Sequence, residues 1–420
     1  MSPPPASGAA YGGFQPQDVV TLSSAAYLDG PMLSAEPATE HLRTLEQKTV
    51  LRRSLITAVG VGLAGAGAGS GAGAVALPAA AQGLRKIEWR CASSFPKELD
   101  TIYFVAGFVA DRVAKATGNR FRIHVTPPDP SVQAFGVLDA VSDGTVQCGH
   151  TASLYFVDRD PAFSFDSGLP FGLNARQHNA WMIGGGLDLL RNFMRSYDVV
   201  PFPAGNTGAQ LGGWFNKEIN DLSDLRGLKF RISGLGGSVL ERLGVEVENL
   251  PGDAVYGAMK SGAVDGAKWI GPYDDEKLKL NTVAKYCYYP GWWQSASQLS
   301  LIVNRSQWER LPEPYQVVFT MACAEANAWL LGKYDVVNVP ALRRMVAAGT
   351  VIKPFPQEVM TACCRTADAL NDEIASQHPT FARLYADWRR FRGDIYEWFR
   401  LSELALNDFV LAATKEAQKS

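Results

Sequence analysis

Apolar and polar positions alternate over residues 86–91 (KIEWRC), which predicts a first β-strand. From 102 to 115 the period lengthens. Phe104, Val105, Phe108, Val109 and Val113 recur at helical spacing, and Gly118 ends that helix. Residues 121–125 (FRIHV) read as a second strand, stopped by Pro127 and Pro128. A helix over 132–141 and a strand over 145–150 follow. The order βαβαβ predicts an open α/β sheet with helices on its faces.

A second unit repeats the scheme. Strands are predicted over 199–203, 210–215, 228–232 and 245–250, with helices from 234 through 243 and over 254–261. Residues 298–304 alternate and read as a return strand. Two α/β units joined by crossing connections leave a cleft where they meet. From 314 onward the pattern is mainly helical, over 315–346, 356–377 and 381–414. The last stretch repeats Leu384, Tyr385, Trp388, Phe391, Ile395, Trp398, Phe399 and Leu404, mostly at helical spacing. A helix so rich in aromatics buries more than one face, against both units or against a partner chain.

The N-terminal part follows another logic. Residues 55–81 carry no charge and are mostly Gly and Ala, too poor in large apolar side chains for a firm membrane anchor. Arg52 and Arg53 precede them and Ala79, Ala80 and Ala81 close them. This is similar to a twin-arginine-type export signal over 51–81, with a mature chain from about Gln82; a retained signal anchor is the alternative. Residues 1–50 are rich in Pro, Ala, Ser and Gly without a period, which predicts a disordered extension. Its length points to a later translation start or to a long leader.

Composition then excludes several functions. Lys plus Arg number 40 against 42 Asp plus Glu, so no basic excess marks a nucleic-acid or anionic-membrane binder. The six cysteines have no zinc spacing and read as small buried apolar residues. P-loop, HExxH and GxSxG motifs are absent. The GLGG run at 234–237 lacks the third glycine of a dinucleotide loop. Asp274, Asp275 and Glu276 read as acids favoured by a helix N-terminus. An exported α/β chain without a catalytic constellation is first a binding protein.

Several segments carry a resemblance. GNTGAQLGGWF (205–215), DLRGLKFR (224–231), GAVDGAKW (262–269), GPYDDEK (271–277) and YPGWW (289–293) resemble the DctP-type solute-binding proteins of TRAP transporters. PAFSF (161–165) and LPFGLNARQ (169–177) are similar to the receptors for 2-oxo acids and other small monocarboxylates. The similarity runs from about Lys86 to the C-terminus. It implies a two-domain periplasmic binding protein fold, type II-like, with a long interdomain helix and a long C-terminal helix. Domain I is then 82–204 plus chain returning after about 300, domain II is 205–310, and 311–420 is a helical strap ending in a dimerisation helix. The resemblance further implies a periplasmic receptor without catalytic activity, handing a small organic anion to membrane permease subunits, and a homodimer.

Arg231 closes a short apolar strand at the expected cleft, where a planar guanidinium holds a carboxylate through parallel charge-assisted bonds. The family's ligand-binding arginine falls on this position; the alternative is an ion pair with Asp253 or Glu241. By the same resemblance Gln210 faces the ligand, and Asn206 sits in the same glycine-rich turn. Trp269, Trp214 and Tyr155 are candidate pocket walls, with a place in the core as the alternative for each, and Trp292 and Trp293 either cap the cleft or pack the hinge. The 2-oxo-acid receptors carry an acid where this chain has Lys268, and there it holds a metal cation with the equivalents of Gln210 and the Trp269 carbonyl. A lysine repels such an ion. The expectation is therefore no metal cofactor, with the Lys268 ammonium contacting the carboxylate instead. Two cations also suit a dicarboxylate or a sulfonate. A sensory binding protein and a lysine-dependent lyase or isomerase are the rival readings.

Overall fold

Strand β1 (Ile87–Ser93) is central to the first sheet because it pairs on both sides: parallel with β2 (Phe121–Thr126) and parallel with β3 (Cys148–Thr151). β4 (Val199–Asn206) forms the far edge, and the returning strand β10 (Gln298–Asn304) fits antiparallel between β3 and β4. The order is β2-β1-β3-β10-β4. This computed structural model describes residues 83–417, so the predicted extension (1–50) and signal segment (51–81) lie outside the described residues. Helix α1 (Phe104–Ala116) makes the crossover from β1 to β2, and Gly118 turns the chain out of it at φ +56°. The predicted helix over 132–141 starts only at Val137, because the Asp129 carboxylate accepts from the N–H groups of Ser131 and Val132 and holds a turn there. The strand expected over 145–150 is shortened to Cys148–Thr151 by a similar turn at Asp143.

The second sheet comprises β5 (Gly213–Phe215), β6 (Lys229–Arg231), β7 (Glu246–Glu248), β8 (Gly266–Ala267), β9 (Tyr286–Tyr289) and β11 (Val351–Pro354). Its order is β11-β9-β5-β8-β6-β7. Helices α2 (Leu235–Glu241) and α3 (Gly252–Ser261) join β6, β7 and β8, and α4 (Pro272–Lys277) follows β8. β11 adds a strand to the mainly helical stretch expected after 314. Gly349 at φ +96° ends the preceding helix, and the chain drops into parallel register with β9. Its four residues, VIKP, end in a proline and carry no periodic signal of their own.

Helix α5 (Glu313–Ala347) has 35 residues, roughly 50 Å of helix. Phe319 packs on Trp89 and Phe202 of the first lobe, while Tyr334 donates to Asp274 Oδ2 of the second at 2.5 Å. Arg344 holds Glu276 through two bonds of 2.9 and 2.6 Å. The chain also crosses between the lobes twice, from β4 to β5 and from β9 to β10.

The aromatic-rich stretch is not one regular α-helix. After α6 (Gln357–Gln377), α7 (Pro379–Phe399) runs into a π-turn at Arg400–Leu404 and then α8 (Ala405–Ala417). The five-residue step from Phe399 to Leu404 in the sequence pattern coincides with this turn. Phe381, Leu384, Tyr385 and Trp388 are buried; Leu401, Leu404, Leu406, Phe409 and Leu411 are exposed. The six cysteines are free thiols, five of them buried. Among the described residues no helix is long and apolar enough to cross a membrane.

Candidate functional site

Alternation along β6 sends Phe230 into the core of its lobe and Arg231 to the opposite side of the strand. Arg231 is only 2% exposed. Its Nε and Nη2 donate to the Leu250 carbonyl at 2.8 and 2.5 Å, Nη1 donates to the Lys268 carbonyl at 2.9 Å, and Nη2 donates to Ser233 Oγ at 3.2 Å. All four bonds end on neutral oxygens, so the alternative of an ion pair with Asp253 or Glu241 does not describe it. These bonds leave one N–H of Nη1, and the neutral phenol of Tyr155 is the hydrogen-bonding group beside it. The ring of Trp269 lies 5.0 Å from the guanidinium carbon, a cation–π contact. Burial lowers the Arg231 pKa, opposed by the phenol of Tyr155.

Lys268 directly follows β8, where its N–H donates to the Arg231 carbonyl at 2.9 Å. The side chain is 6% exposed, and Nζ donates to Gln294 Oε1 at 2.8 Å. Burial and then the neighbouring Arg231 push its pKa down to about 7, with Asp275 opposing. A ligand carboxylate in contact would favour the charged form again.

Gln210 is oriented by a chain of hydrogen bonds. The Thr207 hydroxyl donates to the Gly208 carbonyl (3.1 Å) and accepts from the Ser297 N–H (3.0 Å). Its proton is spent, so it receives the Gln210 amide nitrogen at 2.8 Å. Gln210 Oε1 is thereby left buried without a donor, and Ser297 Oγ and the Trp269 indole N–H are likewise unpartnered. Buried polar atoms without partners cost about 1–3 kcal/mol each, and clustered ones mark where a ligand completes the network.

These groups face one small cavity of about 30 Å³ between the lobes. Phe95, Ile102, Ala152, Leu154 and Tyr155 line it from the first lobe. Arg231, Ser233, Lys268, Trp269 and Ile270 line it from the second, and Thr207, Gln210 and Ser297 from the crossing segments. One wall is apolar, the other rich in hydrogen-bond donors with two cations. Of the residues expected from sequence, Arg231, Gln210, Lys268, Trp269 and Tyr155 meet here. Trp214 does not: β5 pairs with β8, and the Trp214 indole points into the core, donating to Asp275 Oδ2 at 2.8 Å. Asn206 does not line the cavity either; its Oδ1 accepts from the Gly208 N–H at 2.9 Å and shapes the turn. Trp292 stacks on Phe171 and Trp293 packs on Phe230 and Phe355, so this pair fills a core beside the crossing rather than capping the cleft.

Sequence reasoning missed Thr207, Ser233, Gln294 and Ser297. They lie in irregular chain, and their partners are fixed by the meeting of two crossing segments. Asp274 and Asp275 do stand in the first turn of α4, yet both are buried. Burial raises each to about 7, and they accept from Tyr334 and Trp214, tying α4 to α5 and β5.

The donor set does not fit a resident metal ion. Gln210 Oε1 is available, but among the described residues no carboxylate lines the cavity, whereas a buried ammonium and guanidinium do. A hard cation wants anionic oxygens and is repelled by both groups. Among the described residues no cluster of three or more His, Cys, Asp or Glu side chains is placed to hold one.

Two α/β lobes closing on a small donor-rich cavity define a solute-receptor class. Residues 92–378 match the bacterial extracellular solute-binding proteins, family 7 (DctP), and the chain belongs to this family. It is 47% identical, over 328 residues, to the monocarboxylate 2-oxoacid-binding periplasmic protein of Nostoc sp., covering 78% of this chain and 90% of that protein. A TRAP transporter solute-binding protein from Bordetella bronchiseptica RB50 is 43% identical with a TM-score of 0.78, over 80% of this chain and all of the other. That structure is a mixed-occupancy dimer with copurified calcium and picolinate. One from Colwellia psychrerythraea, with bound calcium and pyruvate, is 30% identical with a TM-score of 0.75, over 77% and 99% of the two chains. The family and the two-domain fold implied by the sequence segments are thus those of the molecule, and these relatives are binding proteins.

Proposed function

We propose that this receptor takes a small carboxylate, a 2-oxo acid or a related organic anion, into the interlobe cavity and delivers it to TRAP permease subunits. Arg231, Lys268 and Gln210 bind the polar end, with Trp269 and Tyr155 as walls. The observation that carries this reading is Arg231 itself, a buried cation whose partners are all neutral and whose remaining donor stands in a cavity. A carboxylate supplies the missing charge, and the water-poor cavity strengthens that attraction. The ligands named for the Nostoc, Bordetella and Colwellia proteins support the same class.

We infer the corresponding domain division: 82–204 with the return strand β10 (Gln298–Asn304) as one lobe, the chain between 205 and 297 joined by β11 as the other, and the helices after 311 as strap and dimerisation segment. The exposed apolar face of α8 is assigned to a homodimer contact, in keeping with the dimeric Bordetella relative. Residues 51–81 are assigned to twin-arginine export into the periplasm. The receptor needs no catalytic step. A lowered lysine pKa also suits Schiff-base chemistry, but the family's relatives are binding proteins, and borohydride with a 2-oxo acid is expected to leave no adduct on Lys268.

The test is a thermal-shift and calorimetry panel of mono-, di- and 2-oxo carboxylates against the purified protein. A true ligand at about 100 times its Kd adds about 2.7 kcal/mol of stability. Arg231→Met is expected to lower that affinity by about 100-fold. Absence of any carboxylate shift, or binding indifferent to Arg231, would refute the assignment.

A further inference from the structure

The second cation of the cavity has a built environment of its own. Lys268 Nζ spends one N–H on Gln294 Oε1, which leaves its other donors for the cavity. Its backbone is locked to Arg231 in both directions, since its N–H donates to the Arg231 carbonyl and its carbonyl accepts from Arg231 Nη1. The two positive groups are therefore held at a fixed spacing on neighbouring strands. Gln210 Oε1, an acceptor without a donor, lines the same cavity. In the Bordetella and Colwellia relatives a calcium ion accompanies the bound carboxylate, and in one from Pseudoalteromonas atlantica a sodium ion does.

A cation from solution would have to settle here on neutral oxygens beside two buried positive groups. We propose that the Lys268 ammonium, positioned by Gln294, is the built-in replacement for that ion, so that carboxylate capture by this receptor is independent of metal. This rests on the carboxylate reading above and adds to it. An ammonium offers directional N–H donors where a metal offers coordination sites. It satisfies an oxygen of the carboxylate and the neighbouring 2-oxo or hydroxyl oxygen in the same sense as a chelated ion. It also travels with the protein, so the receptor does not depend on calcium in its surroundings. Gln294 is the positioning residue: without it the flexible lysine loses its one fixed hydrogen bond.

Direct calcium binding by equilibrium dialysis, alongside calorimetry with pyruvate and picolinate, tests this. The chelator-treated protein is expected to bind the carboxylate as tightly as with excess calcium, within about twofold. A loss of about tenfold or more in chelator, restored by calcium, overturns the inference and leaves the carboxylate reading standing. In dialysis without carboxylate the protein is expected to bind no calcium at this site, while Lys268→Glu, which supplies an anionic ligand beside Gln210 and the Trp269 carbonyl, gains it and becomes calcium-dependent for carboxylate. Calcium held stoichiometrically by the unaltered protein overturns the inference even if no carboxylate binds, so the two failures are distinguishable. Should Lys268→Glu not fold, Lys268→Met serves. It is expected to lose about 100-fold in carboxylate affinity with or without calcium, and unchanged affinity refutes the role.

Discussion

Gln210 shows how a single hydroxyl sets the chemistry of the site. Thr207 has one proton and gives it to the Gly208 carbonyl, so its oxygen only accepts, and the neighbouring amide must turn its nitrogen inward. Thr207→Val removes the acceptor for both Gln210 and the Ser297 N–H. Carboxylate affinity by calorimetry is expected to fall by about 1 kcal/mol or more, roughly fivefold, while Thr207→Ser retains it. Equal affinity in the valine variant would show that the amide orientation is set elsewhere. At this scale the sequence was legible where residue type and motif coincide. Arg231, Gln210, Lys268 and Trp269 could be placed because each stands in an ordered segment with a distinctive neighbour. Trp214 shares such a segment and was misread, since an indole serves a core and a pocket wall equally well, and strand pairing decides between them. Gln294 was invisible because its partner Lys268 is remote in the chain, and Thr207 because a threonine beside glycine reads as an ordinary turn until Ser297, 90 residues on, docks against it.

Between elements, buried charge matters more than pattern. Asp166 sits in the short helix Ser164–Ser167 and accepts from Ser153 (2.5 Å) and from Ser300 of β10 (3.0 Å), tying three parts of the first lobe together. Burial raises its carboxyl to about 6, against the two serine hydrogen bonds. In the unfolded chain the group titrates near 3.8. Between pH 4 and 6 the unfolded chain therefore gives up a proton that the folded one keeps. Stability is lost across that window, by up to about 3 kcal/mol, and the effect levels off above it. Asp166→Asn keeps the shape and can still bond to hydroxyls, which donate or accept. Its urea midpoint is expected to gain on that of the unaltered protein as pH rises from about 4 to about 7; a constant difference would rule out the titration. Element types were largely readable from periodicity, and β10 in full. β11 was not, because four residues ending in Pro354 become a strand only when β9 is there to pair with.

For the whole molecule, the outlying surface of α8 bears on assembly. Phe409 is 71% exposed, and Leu406 stands three residues before it and four before the exposed Val410, an apolar stripe at helical spacing along α8. If α8 is the homodimer contact, Phe409→Asp with Leu406→Asp is expected to convert a sedimenting dimer to monomer without changing carboxylate affinity. A monomeric unaltered protein would withdraw the contact. The interleaved course of the chain has a consequence of another kind, for the order of synthesis. β10 lies between β3 and β4 in the first sheet, so that sheet keeps a gap until the ribosome has passed residue 304. The second sheet waits for β11, at 354, to cover the edge of β9. A nascent chain stopped short of either point carries unpaired strand edges, so neither lobe is a stretch of gene that can be cut out and expressed by itself.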